Sequence, residues 1–120
     1  MKYMIMTFGP AAGLEGKVSK EWITEMIQFM HTLDDDLRKS GELVNNEGLA
    51  WPDQAKTVRF VNGAPVATDG PFAESKEALV GYWIVDVESE ARAIEIASQI
   101  VAFVKHPIEV RQVMDAPPEP

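Results

Sequence analysis

Leu79-Val80-Gly81-Tyr82-Trp83-Ile84-Val85-Asp86-Val87 decides the fold. Successive residues of a strand face opposite sides of its sheet. Tyr82 and Ile84 make one side of this run apolar, and Trp83 and Val85 make the other side apolar as well. Such a strand belongs inside a sheet with both faces covered. What covers them must come from the segments around it.

Downstream, Ser89 is a helix N-cap. Ala93, Ile94, Ala97, Ile100 and Val101 then recur at helical spacing. Residues 108–114 read as a closing strand, and 115–120 as a proline-rich, frayed tail. Upstream, Asn62-Gly63 separates two strand-like runs, 57–61 and 64–68, which is a strong hairpin signal. Pro65 cannot donate to a ladder, so this hairpin is expected at a sheet edge. Residues 42–50 read as a strand ending at Trp51-Pro52, and 2–8 as the first strand. Between them Ser19 caps a helix carrying Trp22, Ile23, Met26, Ile27, Met30, Leu33 and Leu37, with Gly41 at its end.

The order strand, helix, strand, hairpin, strand, helix, strand predicts an α+β, ferredoxin-like βαββαβ core with an inserted β-hairpin, as one domain over 1–114. Two helices cover one face of such a sheet. The apolar second face predicts a homodimer.

Composition narrows the function. The 120 residues contain no cysteine and carry a net charge of −8. Disulfides and thiolate metal sites are excluded, and phosphate backbones and anionic membranes are poor partners. The apolar start, 1–6, stops at Gly9-Pro10, and no apolar run reaches membrane-spanning length. A cytoplasmic protein is expected.

Thr68-Asp69-Gly70-Pro71-Phe72-Ala73-Glu74 is the most distinctive stretch for function. Asp69 stands before a stiff turn and an aromatic, at the start of a long connection where sites gather. As a turn former its carboxylate caps the backbone. As a site residue at a pocket mouth it would have a raised pKa and act as acid or base. Glu47 is its proposed partner in a carboxylate pair, or else a surface acid paired with Arg59. Trp51, Phe72 and Tyr82 are candidate ligand-binding residues, with Tyr82 and Trp83 on opposite faces of one strand. His31 and Asp35 have ligand-like spacing, but Asp35 faces away from the apolar stripe. No metal or other cofactor is expected, and Asp34-Asp35-Asp36 reads as a solvated face. His106 reads as a surface residue, as do Lys76 and Glu77. Phe8 to Lys17 is glycine-rich but lacks Walker spacing, with Ala11 and Val18 at two key positions, so it reads as a lid over a pocket.

These residues resemble the YCII-related superfamily, and its DGPF branch in particular. The resemblance runs from Met1-Lys2-Tyr3 through Glu47-Gly48-Leu49, Thr57-Val58-Arg59, the 68–74 stretch, Lys76-Glu77 and Gly81-Tyr82 to Ile108-Glu109-Val110-Arg111. It implies a dimeric α+β barrel similar to muconolactone-isomerase-like proteins. In the YCII branch a His in the first helix and an Asp after the second are a proposed acid/base pair. Here Met30 stands at the first position with His31 beside it, and Val104-Lys105-His106-Pro107 carries no Asp. The resemblance therefore transfers chiefly Asp69. The residues together point to a protein that binds a small organic molecule; if it is an enzyme, cofactor-independent acid/base chemistry of isomerase or lyase type suits such a site, with Asp69 as the acid/base and Glu47 or Tyr82 assisting. The alternative the resemblance implies is a non-catalytic regulatory or interaction protein of an alternative sigma factor system.

Overall fold

The computed structural model describes residues 1–10, 18–72 and 76–117. The 11–17 lid and the end of the 68–74 stretch lie outside the described residues, as do the last three residues of the expected tail. Nine elements follow in chain order: β1 (Lys2–Pro10), α1 (Lys20–Lys39), β2 (Leu43–Gly48), a 3-10 turn (Pro52–Gln54), β3 (Lys56–Val61), β4 (Ala64–Asp69), β5 (Glu77–Asp86), α2 (Glu90–Val104) and β6 (Ile108–Gln112).

Local chemistry sets the element ends. Ser19 Oγ accepts from the Trp22 amide at 3.0 Å and Ser89 Oγ from the Arg92 amide at 3.2 Å, capping both helices. At the end of α1 the Gly41 amide donates to the Arg38 carbonyl and the Glu42 amide to that of Leu37. That paired closure needs a left-handed residue, which Gly41 supplies at φ +78°.

β2, β5, β1 and β6 form one antiparallel sheet in that order, the ferredoxin-like arrangement. Both helices lie on one face. There Tyr3, Ile5, Trp83 and Val85 pack with Leu33, Leu37, Ile96 and Ile100 in a single core. Phe29 and Phe103 stack at 4.8 Å between the helices. The opposite face carries Met4, Met6, Tyr82 and Ile84, all half-buried. The register pairs Met4 with Ile84 and Met6 with Tyr82. Gly81 sits where the strands crowd: a Cβ there would lie 3.2 Å from the Glu47 carbonyl oxygen and 3.3 Å from Thr7 Oγ1.

The hairpin departs from expectation. It turns as read, with Asn62 and Gly63 both at positive φ. Yet β3 and β4 form their own two-stranded sheet and do not extend the edge of the main one. The radius of gyration is 16.5 Å, against about 13.5 Å for a compact chain of this length. The extents of 50 × 46 × 19 Å describe a plate. Val58 and Phe60 on the hairpin are 65 % and 78 % exposed.

The aspartate run also departs from expectation. Asp35 and Asp36 are exposed, but Asp34 is buried. It accepts from Trp83 Nε1 at 2.9 Å and from Asn46 Nδ2 at 2.8 Å. Its place four residues after Met30 and three before Leu37 turns it inward.

Candidate functional site

Two concavities mark the described surface. One, of about 430 Å³ between α2 and β6, is lined by apolar side chains and Ser98. The other, of about 560 Å³, is built where the β2–β3 connection, the turn after β4 and the start of β5 meet. Trp51, Leu49, Phe72 and Leu79 supply its apolar walls, and Lys56 and Glu77 are its charged lining residues. Only the second combines aromatic walls with ionisable groups, the pattern of a ligand site.

The turn that carries Phe72 into the cleft is well anchored. The Gly70 amide donates to the Ala55 carbonyl at 2.7 Å. The buried Thr57 hydroxyl donates to the Gly70 carbonyl at 2.7 Å. Gly70 adopts φ +93°, a conformation that suits glycine. Arg59 lies over the Phe72 ring, its guanidinium carbon 5.8 Å from the centroid.

Asp69 ends β4 directly opposite Lys56. Its carboxylate accepts from Lys56 Nζ at 2.5 Å, and the side chain is 88 % exposed. The hydrogen bond and charge of Lys56 hold the Asp69 carboxyl below its ordinary value. This reverses the raised pKa expected of a desolvated acid, because Asp69 has both water and a cation beside it. Glu47 lies on β2, in the other sheet, as the cross-strand neighbour of Tyr82 on the open face. Asn45 Nδ2 donates to the Tyr82 hydroxyl at 3.4 Å. The five residues singled out from the sequence thus fall in three places. Trp51 and Phe72 meet in the cleft, Asp69 reaches it through Lys56, and Glu47 and Tyr82 share the open sheet face.

A second polar pair adjoins the cleft. His106 Nε2 lies 3.1 Å from Glu77 Oε1, and both side chains are partly exposed. In the sequence each reads as a solvated surface group. Their juxtaposition spans 29 residues and leaves no short-range signature. His31 is exposed on α1, and Asp35 pairs with Arg38 at 3.2 Å. Among the described residues no three His, Asp or Glu side chains gather as a metal site. No helix there is long and apolar enough to cross a membrane.

The model of the YCII-related domain family matches residues 1–117, nearly the whole chain. The chain belongs to the YCII-related domain family. A protein of Rhizobium meliloti (strain 1021), named only as uncharacterized, is 29 % identical over 82 residues. The match covers 68 % of this YCII-related chain and 66 % of that relative. Membership accounts for the α+β ferredoxin-like fold, while the chemistry must be argued from the site.

Proposed function

We propose that this YCII-related chain, as a member of the DGPF branch, binds a small organic molecule in the Trp51–Phe72 cleft. The observation that carries this is the convergence of Trp51, Phe72 and Leu79, from three separate segments, on one concavity edged by Lys56 and Glu77. A flat apolar body fits between such walls, and an anionic group fits the Lys56 ammonium. Asp69 sets the charge Lys56 presents. The reaction class that suits these groups is cofactor-independent proton transfer, of isomerase or lyase type. A homodimer formed through the Met4, Met6, Tyr82 and Ile84 face would enclose Glu47 and Tyr82 at its interface.

Titration with 8-anilinonaphthalene-1-sulfonate, an aromatic anion, tests the cleft. Trp51→Ala and Phe72→Ala should each weaken its binding about tenfold, the equivalent of roughly 1.4 kcal/mol. Unchanged affinity in both variants, with the fold intact, would reject the site.

A second reading rests on the hairpin. Phe60 is 78 % exposed on an arm that projects from the core, and exposed apolar patches mark interaction surfaces. On this reading the chain is a non-catalytic interaction protein. Phe60→Ser would then abolish its association while leaving the aromatic anion bound as before.

A further inference from the structure

We propose that Glu77 and His106 form a proton-transfer pair that serves the cleft. Glu77 acts on the acidic C–H of a small carboxylic acid bearing a flat apolar body and a carbonyl next to that carbon. The proposal rests on the cleft being the ligand site and assigns the chemistry done there.

Three observations converge on it. Glu77 is the carboxylate of the cleft lining, at the first position of β5. Its Oε1 is taken by His106 Nε2 at 3.1 Å. A carboxylate has two oxygens and about four acceptor sites, so one imidazole leaves Glu77 able to receive a proton from a bound molecule. His106 is placed from a different part of the chain. Lys105 ends α2 in the left-handed region at φ 54°, ψ 37°, with its amide on the Val101 carbonyl, and His106 follows at once. Through Glu77 the pair adjoins the aromatic walls, and Glu77 shares the lining with the Lys56 ammonium. The other charged groups flanking the pair along the chain are Lys76 and Lys105.

The step balances without a co-reactant. The carboxylate of the ligand meets Lys56, and its apolar body lies against Trp51 and Phe72. The C–H bond breaks, the proton passes to Glu77, and the bonding pair moves into a C=C bond while the carbonyl oxygen becomes an enolate. Glu77, now a carboxylic acid, exchanges its proton with solvent and returns one to carbon, restoring the ketone. His106 is a positioning residue. Its N–H fixes the rotamer of Glu77.

Phenylpyruvate is a suitable probe, because it joins an aromatic body, a carboxylate and an acidic CH₂ beside a ketone. Its methylene signal is followed by proton NMR in deuterated buffer, with binding measured separately by calorimetry. The full chain should speed deuterium uptake above the buffer rate. Glu77→Gln should bind phenylpyruvate equally well while the protein-dependent exchange falls by about a hundredfold. His106→Ala should slow exchange and remove the imidazole inflection from its pH profile. His106→Gln, which keeps an N–H donor, should restore part of the rate without that inflection. Phenylpyruvate bound by the native chain with no exchange above buffer, or exchange unchanged in Glu77→Gln, would overturn the pair and leave the cleft standing. A folded native chain that does not bind phenylpyruvate would count against both.

Discussion

Asp34, in the middle of α1, holds the indole N–H of Trp83 in β5 at 2.9 Å and the amide of Asn46 in β2 at 2.8 Å. One carboxylate thereby ties the longer helix to two neighbouring strands. Trp83 is 4 % exposed, so its N–H has no water to replace Asp34. Removing the acceptor leaves a buried donor unsatisfied, at a cost of about 1–3 kcal/mol. Asp34→Ala should lose about 1–3 kcal/mol in urea unfolding, most of it from the buried Trp83 donor, since the part-buried Asn46 amide can turn to water. Asp34→Asn should lose less, because its carbonyl can still accept from Trp83 while its amide opposes Asn46. A loss below about 0.5 kcal/mol for Asp34→Ala would show that the contact is incidental.

What was legible in the sequence was local. Ser19, Gly41, Asn62-Gly63 and Ser89 each act within a few residues, so the element order could be read and the ferredoxin-like core followed. Asp34 was hidden by its neighbours: three aspartates in a row look solvated, although the spacing to Met30 and Leu37 pointed inward. A buried Trp83 needing an acceptor was the second available signal. Glu42 with Arg92 and Glu77 with His106 are 50 and 29 residues apart, and nothing short-range joins them. Trp51 and Phe72 were read as ligand residues, but their meeting depends on how the β3–β4 sheet sits against β5, which no periodicity encodes. Asp69 was read from its turn. The cation opposite it, Lys56, is set by hairpin register, which Asn62-Gly63 fixes and which could have been counted back.

Arg92 and Glu42 give a pH-dependent prediction. Arg92 Nε and Nη2 donate to the two Glu42 oxygens, each at 2.9 Å, joining the start of α2 to the turn that leads from α1 into β2. The hydrogen bond from Arg92 is the main cause that lowers the Glu42 pKa from 4.5, and Ser40 helps, against partial burial. A carboxyl with a lowered folded-state pKa stabilises fully above its unfolded value and loses that contribution as pH falls through the folded one. Arg92→Gln should therefore cost about 1–2 kcal/mol near neutral pH. The gap to the native chain should narrow below about pH 4.5. Denaturation series at several pH values would show it; a gap constant down to acid would contradict the assignment.

Asp69 and Lys56 make opposite predictions for one ligand. Lys56→Met removes the cation of the cleft lining and should weaken 8-anilinonaphthalene-1-sulfonate about tenfold. Asp69→Asn removes the carboxylate that competes for Lys56, so the same anion should bind tighter, by roughly threefold at low salt, and the gain should fade as salt screens it. The fold should tolerate Asp69→Asn, since the side chain is 88 % exposed and asparagine keeps the turn chemistry. Weaker binding in Asp69→Asn would instead make Asp69 a direct ligand group.

The open sheet face carries the last prediction. Met4, Met6, Tyr82 and Ile84 occupy the centre of the four-stranded sheet on the side away from both helices. Glu47 on β2 and the Glu109–Arg111 ion pair on β6 stand towards its edges on the same side. An apolar centre with a charged rim is the composition of an interface. A two-fold axis can place the same patch on itself, letting the acids of one copy meet Arg111 of the other. Ile84→Glu would set two like charges at the centre of that contact without touching the helix-side core, so the monomer should still fold. Sedimentation should therefore show a dimer for the native chain at micromolar concentration and a folded monomer for Ile84→Glu. Phe60→Ser, on the separate hairpin, should leave this contact intact. A native monomer at that concentration, or a dimer that survives Ile84→Glu, would place the partner of the apolar strand elsewhere.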